Sequence, residues 1–408
     1  MKTSHTRRGI RLIFAIMAFC LINNALAQEL RQEGRGYAAD IKRSFTAGKS
    51  GSLEMTDING DVEVDAWDKG QVEITEKLFL DVLTKAEAER ALKLSTESYQ
   101  ERSGRILVDG RSRPRRYVHS YFRINVPRDF SIDISTEGGD LTVRQVKGQT
   151  TLRTSGGDIK AREIGGSVVA KTSGGNLEFE NVMGRLEAAT SGGNILLRNA
   201  TEDVEVRTSG GDVEICDVSS NVIAKTSGGT IRVENTTGSV DVRTSGGDIR
   251  LNNLKGTITG TTSGGDVEAT RLFSSASLKT SGGDIQIREL MSSLDAATSG
   301  GDVRVEMTLT DFSKPHALKL ASSGGDIELT IPEKLPANIF AEIRLDSRWG
   351  WGSSSGRYDI ESDFPIKIDR GDRERDYIRG EGKINGGGDP IDLQTSAGNI
   401  RIKKLSSR

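Results

Sequence analysis

The sequence predicts a parallel β-solenoid, an all-β fold of stacked 18-residue coils. Three observations lead there. The tag Thr-Ser-Gly-Gly-Asp, or a near copy, begins at Thr136, Thr154, Thr172, Thr190, Thr208, Thr226, Thr244, Thr262, Thr280 and Thr298, always 18 residues apart. Between tags, apolar and polar residues alternate with period two in two short runs. Each run ends in a glycine-rich turn. A period this strict means copies of one supersecondary unit stacked on each other.

Numbering each unit from the tag Asp as position zero shows which residues should fill the interior. Position one is Leu141, Ile159, Leu177, Ile195, Val213, Ile231, Ile249, Val267, Ile285 and Val303. Positions three, six, ten and twelve are mostly aliphatic, as in Val182, Leu254, Val204 and Val242. Burying one such side chain contributes about 1.5–3 kcal/mol. At the ~4.8 Å strand spacing, ten coils extend about 48 Å. The Gly-Gly pair is expected to supply positive φ at a sharp corner. The tag threonines face inward, where their hydroxyls could bond up and down the column. Outward-facing threonines, the arrangement an ice-binding surface needs, are not predicted.

Four segments follow. Residues 1–27 read as a secretion signal, with Lys2, Arg7, Arg8 and Arg11, the apolar run Leu12–Leu21, and the small-x-small site Ala25-Leu26-Ala27. The mature chain then begins at Gln28, in the periplasm, on the cell surface or outside the cell. Residues 28–134 form an N-terminal β region with an early coil near 50–65. Its one short helix starts at Thr84 and covers the tube's open end. Residues 135–331 are the regular array. In residues 332–408 a cap and a last coil, Thr395–Ile402, close the chain, and Lys403 and Lys404 would guard its edge.

Composition narrows the function. Without the signal, 52 basic and 58 acidic side chains leave a net charge of −6, which disfavours nucleic acid. No later stretch is long and apolar enough to span a bilayer. Cys216 is then the sole cysteine, so no intramolecular disulfide forms. His119 and His316 have no metal-ligand spacing. No nucleophile–base–acid set stands out, no catalytic residue is assigned, and no cofactor is expected.

Three groups are candidates for recognition or turn structure. Asp140, Asp158, Asp212, Asp248, Asp266, Asp284 and Asp302 form a column expected to hold the turns through their carboxylates. Calcium is the alternative, but each coil has one Gly-Gly-Asp and lacks the further glycine of calcium-binding repeats. Position thirteen is basic at Arg153, Lys171, Arg207, Lys225, Arg243 and Lys279. It makes either a mixed-charge face or a weak anion-binding stripe. Trp349 and Trp351, beside Arg348, sit on a glycine-rich loop that could stack on sugars or a protein. Arg111, Arg113, Arg115 and Arg116 around Pro114 read as an exposed turn.

The Ser-Gly-Gly-Asp-Ile turns, the Ile124-Asn125-Val126-Pro127 segment and the closing Gly-Asn-Ile-Arg-Ile resemble those of the bacterial putative-adhesin family of exported β-strand-repeat proteins, a domain of unknown function. The likeness spans roughly residues 50–402. It implies a β-solenoid in the cell envelope. Together these readings point to a non-enzymatic, adhesin-like or structural interaction surface for an envelope polysaccharide or protein. A polysaccharide-active β-helix enzyme and a calcium-binding module are the alternatives. Oligomeric state is not legible.

Overall fold

A computed structural model of the chain describes residues 29–114, 118–344, 358–370 and 377–406. The two strands of each coil go to two facing sheets. In one coil, Ile159–Ile164 joins the first sheet and Val168–Lys171 the second. Successive coils pair in parallel with an 18-residue offset, as in Ile159↔Leu177 and Val168↔Leu186. Both sheets are open ladders. The second runs from Tyr99–Arg102 at one end to Lys367–Asp369 at the other. The predicted all-β solenoid is the observed fold.

Aliphatic side chains from the two sheets merge into one core that runs from Ala47 to Ile402. Positions one, three and six point inward in the first sheet, and positions ten and twelve in the second. Three and six are an odd distance apart, which an extended strand cannot accommodate with both side chains on one face. The chain solves this at position five. Gln145, Glu163, Asn181, Asn199, Asp217, Asn235, Asn253, Arg271 and Glu289 all adopt left-handed backbone, with φ between 53° and 62°. Each kink turns the following residue back to the core. Asn and Asp tolerate this conformation best, and Asn side chains stack there, with Asn199 Nδ2 donating to Asn181 Oδ1 (2.7 Å) and Asn253 Nδ2 to Asn235 Oδ1 (2.7 Å).

The tag glycines serve a different purpose from the expected one, since none has positive φ. The second glycine is packed against the coil before it. A Cβ on Gly193 would lie 2.0 Å from the Gly175 carbonyl oxygen, whereas one on Gly192 would be 3.5 Å from the nearest atom. The threonine hydroxyls bond backbone rather than each other. Thr190 Oγ1 donates to Gly175 O (2.9 Å) in the preceding coil and accepts from Gly193 N–H (3.3 Å) in its own tag. The bond gives the glycine carbonyl a hydrogen-bond partner. Ser322 and Thr395 repeat the bond to Gly301 and Gly325.

At both ends, stacking order departs from chain order. Ser50–Ile58 and Gly60–Trp67 stack directly against Asp129–Thr136 and Leu141–Arg144. The intervening chain adds antiparallel strands outside them, Gln71–Leu80 against Val118–Pro127 and Gly36–Thr46. At the other end, Asp389–Thr395 and Ile400–Lys404 slot in beside Leu318–Ala321 and Ile327–Ile331. Ala337–Arg344 and Ile360–Ser362 lie beyond them. The last coil in sequence is therefore not the edge. Lys403 and Lys404 instead pair with Glu328 (2.7 Å) and Glu333 (2.9 Å). The outermost strands, Arg31–Glu33, Tyr99–Arg102, Ile360–Ser362 and Lys367–Asp369, are only three or four residues long.

The helix is Lys85–Glu97, started by a capping box between Thr84 and Glu87. It leads from the outer strands of the first sheet to the edge of the second. Ala88 and Ala91 pack on Ile41, Leu78, Leu80 and Val118. Beneath it, the Glu76 carboxylate is fully buried and accepts from Arg113 Nη1 (2.5 Å), Ser120 Oγ (2.6 Å) and Tyr99 Oη. Arg113 thus turns inward, where an exposed turn was expected. Burial, then the Glu76 charge, pushes the Tyr99 phenol well above its ordinary pKa, with Arg113 opposing.

Candidate functional site

Two surfaces compete for the role, the outer face of the second sheet and a cleft near the C-terminal end. Trp349, Trp351 and Arg348 lie outside the described residues, as do the signal segment, Arg115 and Arg116.

On the second sheet, positions eleven and thirteen project outward from the same short strands. Their charges largely cancel. Arg153 pairs with Asp133 (3.1 Å), Lys171 with Glu187 (2.9 Å), Arg243 with Asp241 (3.1 Å), Lys279 with Asp295 (3.7 Å) and Arg207 with Glu205. These pairs are solvent-exposed and contribute at most about 1 kcal/mol each. Lys225 makes no ion pair among the described residues. The face is thus a polar, nearly neutral sheet of alternating sign.

The aspartates of the tag form a ladder of their own. Asp158 N–H donates to Asp140 Oδ1 (2.8 Å), Asn176 N–H to Asp158 Oδ1 (2.7 Å) and Asp212 N–H to Asn194 Oδ1 (2.8 Å). An Asn carbonyl oxygen accepts as a carboxylate does, so Asn176 and Asn194 continue the ladder. Beyond Thr230 it resumes with Asp266 N–H on Asp248 Oδ1 (3.0 Å), followed by Asp284 on Asp266 and Asp302 on Asp284 (2.8 Å each). One oxygen of each bonded carboxylate is thereby engaged by backbone. Among the described residues, no three acidic, histidine or cysteine side chains converge as metal ligands. Cys216 is half-buried on the outer face of the first sheet, and burial, then Glu234, Glu214 and Asp217, raise its thiol pKa. That lowers its thiolate fraction.

The cleft arises where the repeat changes. Glu289 is the last left-handed residue in the array. The next strand, Val303–Met307, alternates simply, so the pairing jumps from Ile287↔Val305 to Leu290↔Met307. Arg288 and Glu306 are successive members of the position-four column, and neither makes an ion pair among the described residues. The tag spacing also lengthens from 18 to 24 residues between Thr298 and Ser322. The inserted loop leads over the corner and is pinned at His316. Its backbone N–H donates to Asp389 Oδ2 (2.8 Å), and its ring nitrogens lie 2.8 Å from Lys314 O and 2.9 Å from Pro336 O. A cavity of about 1160 Å³ results, with Arg288, Glu289, Glu306, Thr310, Phe312 and Lys334 in its wall. The sequence shows the insertion, but the αL residues that make the register jump carry no strong composition signal beyond asparagine at Asn181, Asn199, Asn235 and Asn253.

The molecule is a repeat protein of the β-solenoid class. The chain belongs to the Toastrack family DUF4097, whose model matches residues 51–272 and 261–403. One similar solved structure is a putative cell adhesion protein from Clostridium sporogenes. It aligns over 89% of this chain and 99% of its own, at 7% identity and a TM-score of 0.14. No curated protein matches. Among the described residues, no helix is long and apolar enough to cross a membrane.

Proposed function

We propose that this chain is a non-enzymatic, exported interaction module of the bacterial cell envelope, adhesin-like or structural, that presents its long faces to a polysaccharide or protein partner. One observation supports the reading above the others. A single apolar core joins every coil, so the outer positions are held at fixed spacing along the whole stack. Such a face repeats the same weak contact in register and gains strength by multivalency. The basic N-terminal segment followed by Leu12–Leu21 and Ala25-Leu26-Ala27 supports export.

The test is capture of envelope fractions by the purified chain, with mass spectrometry of the exported form to locate its first residue. A mature start at Gln28 and retention on intact envelope fit the proposal. Cytoplasmic full-length chain would overturn export. Release of reducing sugar from envelope polysaccharide would replace the module with an enzyme. A calcium-dependent rise in melting temperature would favour the metal-binding alternative.

A further inference from the structure

We infer that the cleft beside the 24-residue spacing binds a short stretch of an uncharged polysaccharide chain. The inference rests on the reading of this protein as an interaction module and names a site and a ligand class for it.

The argument begins with charge. Arg288 and Lys334 face Glu289, Glu306 and Glu333, and Glu333 is already engaged by Lys404 at 2.9 Å. The wall is close to neutral, so it offers no net attraction to a polyanion or polycation. Yet it presents a guanidinium and a carboxylate from successive coils, Arg288 and Glu306, neither in an ion pair among the described residues. Elsewhere on the same face, Arg162 pairs with Glu178 (2.5 Å) and Arg304 with Asp302 (2.6 Å). A ligand that engages both groups must accept hydrogen bonds from Arg288 and donate them to Glu306, and a neutral one suits a wall of nearly zero net charge. Neighbouring hydroxyls on a sugar ring do this.

The rest of the wall agrees. Phe312 brings apolar surface against which a sugar ring's C–H face can lie, and Thr310 adds a hydroxyl. Mixed apolar surface with a few placed polar groups is the usual composition of a binding pocket, and 1160 Å³ exceeds the usual range of about 300–1,000 Å³ for one small molecule. A chain of several units suits that size. An extended peptide would seek a free strand edge. The strands at this wall have none, because Ile285–Leu290 pairs with Val267–Leu272 and Val303–Met307, and the latter also pairs with Ile327–Ile331.

The experiment is calorimetric titration of the whole chain with two probes, linear tetrasaccharides of glucose and of N-acetylglucosamine. At least one should bind. Arg288→Ala and Glu306→Ala, at exposed or half-buried positions, should each weaken binding tenfold or more, while Lys225→Ala leaves it unchanged. Circular dichroism confirms that each variant is folded, and Phe312→Ser provides a separate variant on the inserted loop. If neither tetrasaccharide binds at millimolar concentration, or if the cleft variants bind like the parent, the inference fails. Binding of a highly charged glycan with no response to the neutral probes also overturns it. Envelope capture that survives all three cleft variants would leave the module reading intact and remove only this site.

Discussion

The paired glycines of the tag permit a sharp test, because the two positions make opposite demands. Gly193→Ala would place a methyl 2.0 Å from the Gly175 carbonyl oxygen, against backbone that cannot swing aside. The coils must part locally by more than 1 Å to reach an ordinary contact distance. Overpacking of this kind costs about 1–3 kcal/mol. Parting also strains the Thr190 Oγ1 bond to Gly175 O and the Asn194 N–H bond to Asn176 Oδ1, each contributing about 1 kcal/mol. A destabilisation of about 3–5 kcal/mol is expected. Gly192→Ala meets nothing closer than 3.5 Å and carries no positive φ. It should be neutral or stabilise by up to about 1 kcal/mol through reduced unfolded-state entropy. Urea unfolding of both variants, followed by circular dichroism, separates them by midpoint. Equal losses at both positions would refute inter-coil contact as the reason for the pair and point back to backbone conformation.

Other expectations follow from the same geometry. Arg271→Asn, at a left-handed position with φ of 57°, should raise stability by about 1 kcal/mol in thermal melts; an unchanged melt would mean the kink is not strained. Glu76→Ala leaves Arg113 buried without its partner and should cost about 3–5 kcal/mol, with Glu76→Leu/Arg113→Met recovering most of it. Because the folded-state pKa of Tyr99 is raised, its stabilising contribution is complete below the unfolded tyrosine pKa of about 10 and is lost as pH rises through the folded value. Tyrosinate absorbance should therefore show one late-titrating group whose ionisation coincides with loosening of the helix, a feature absent in Tyr99→Phe. Deleting Thr208–Arg243 should shorten the particle by ~9.6 Å in small-angle scattering and leave it folded.

The coil itself was legible because its signals are local and repeated. Ile159, Ala161 and Val168 recur at the same offsets, and any frame other than 18 scatters them. Turn chemistry was only half legible. Gly157 and Gly193 announce a corner, but a need for small size and a need for positive φ select the same residue. The position-five kink stayed hidden because Glu163, Arg271 and Glu289 occupy it as readily as Asn181 does. Order along the stack was hidden as well. Nothing in Gly60–Trp67 says that Val118–Pro127 will lie on one side of it and Leu141–Arg144 on the other. The cleft follows from a missing kink at Met307, and an absent conformation leaves no motif. The basic stripe was visible as a column, whereas its neutralisation depends on rotamers reaching Glu187, Glu205 and Asp241.

The four abbreviated strands at the ends of the ladders carry a consequence for how this molecule behaves in a crowd. A terminus of three or four residues offers too few backbone donors and acceptors to template another chain. Cleavage after Arg207, if the two halves then parted, would expose Ile195–Ala200 as a six-residue rim, ready to accept a matching rim from a neighbour. Intact molecules should stay separate at high density, and nicked ones should grow into fibres.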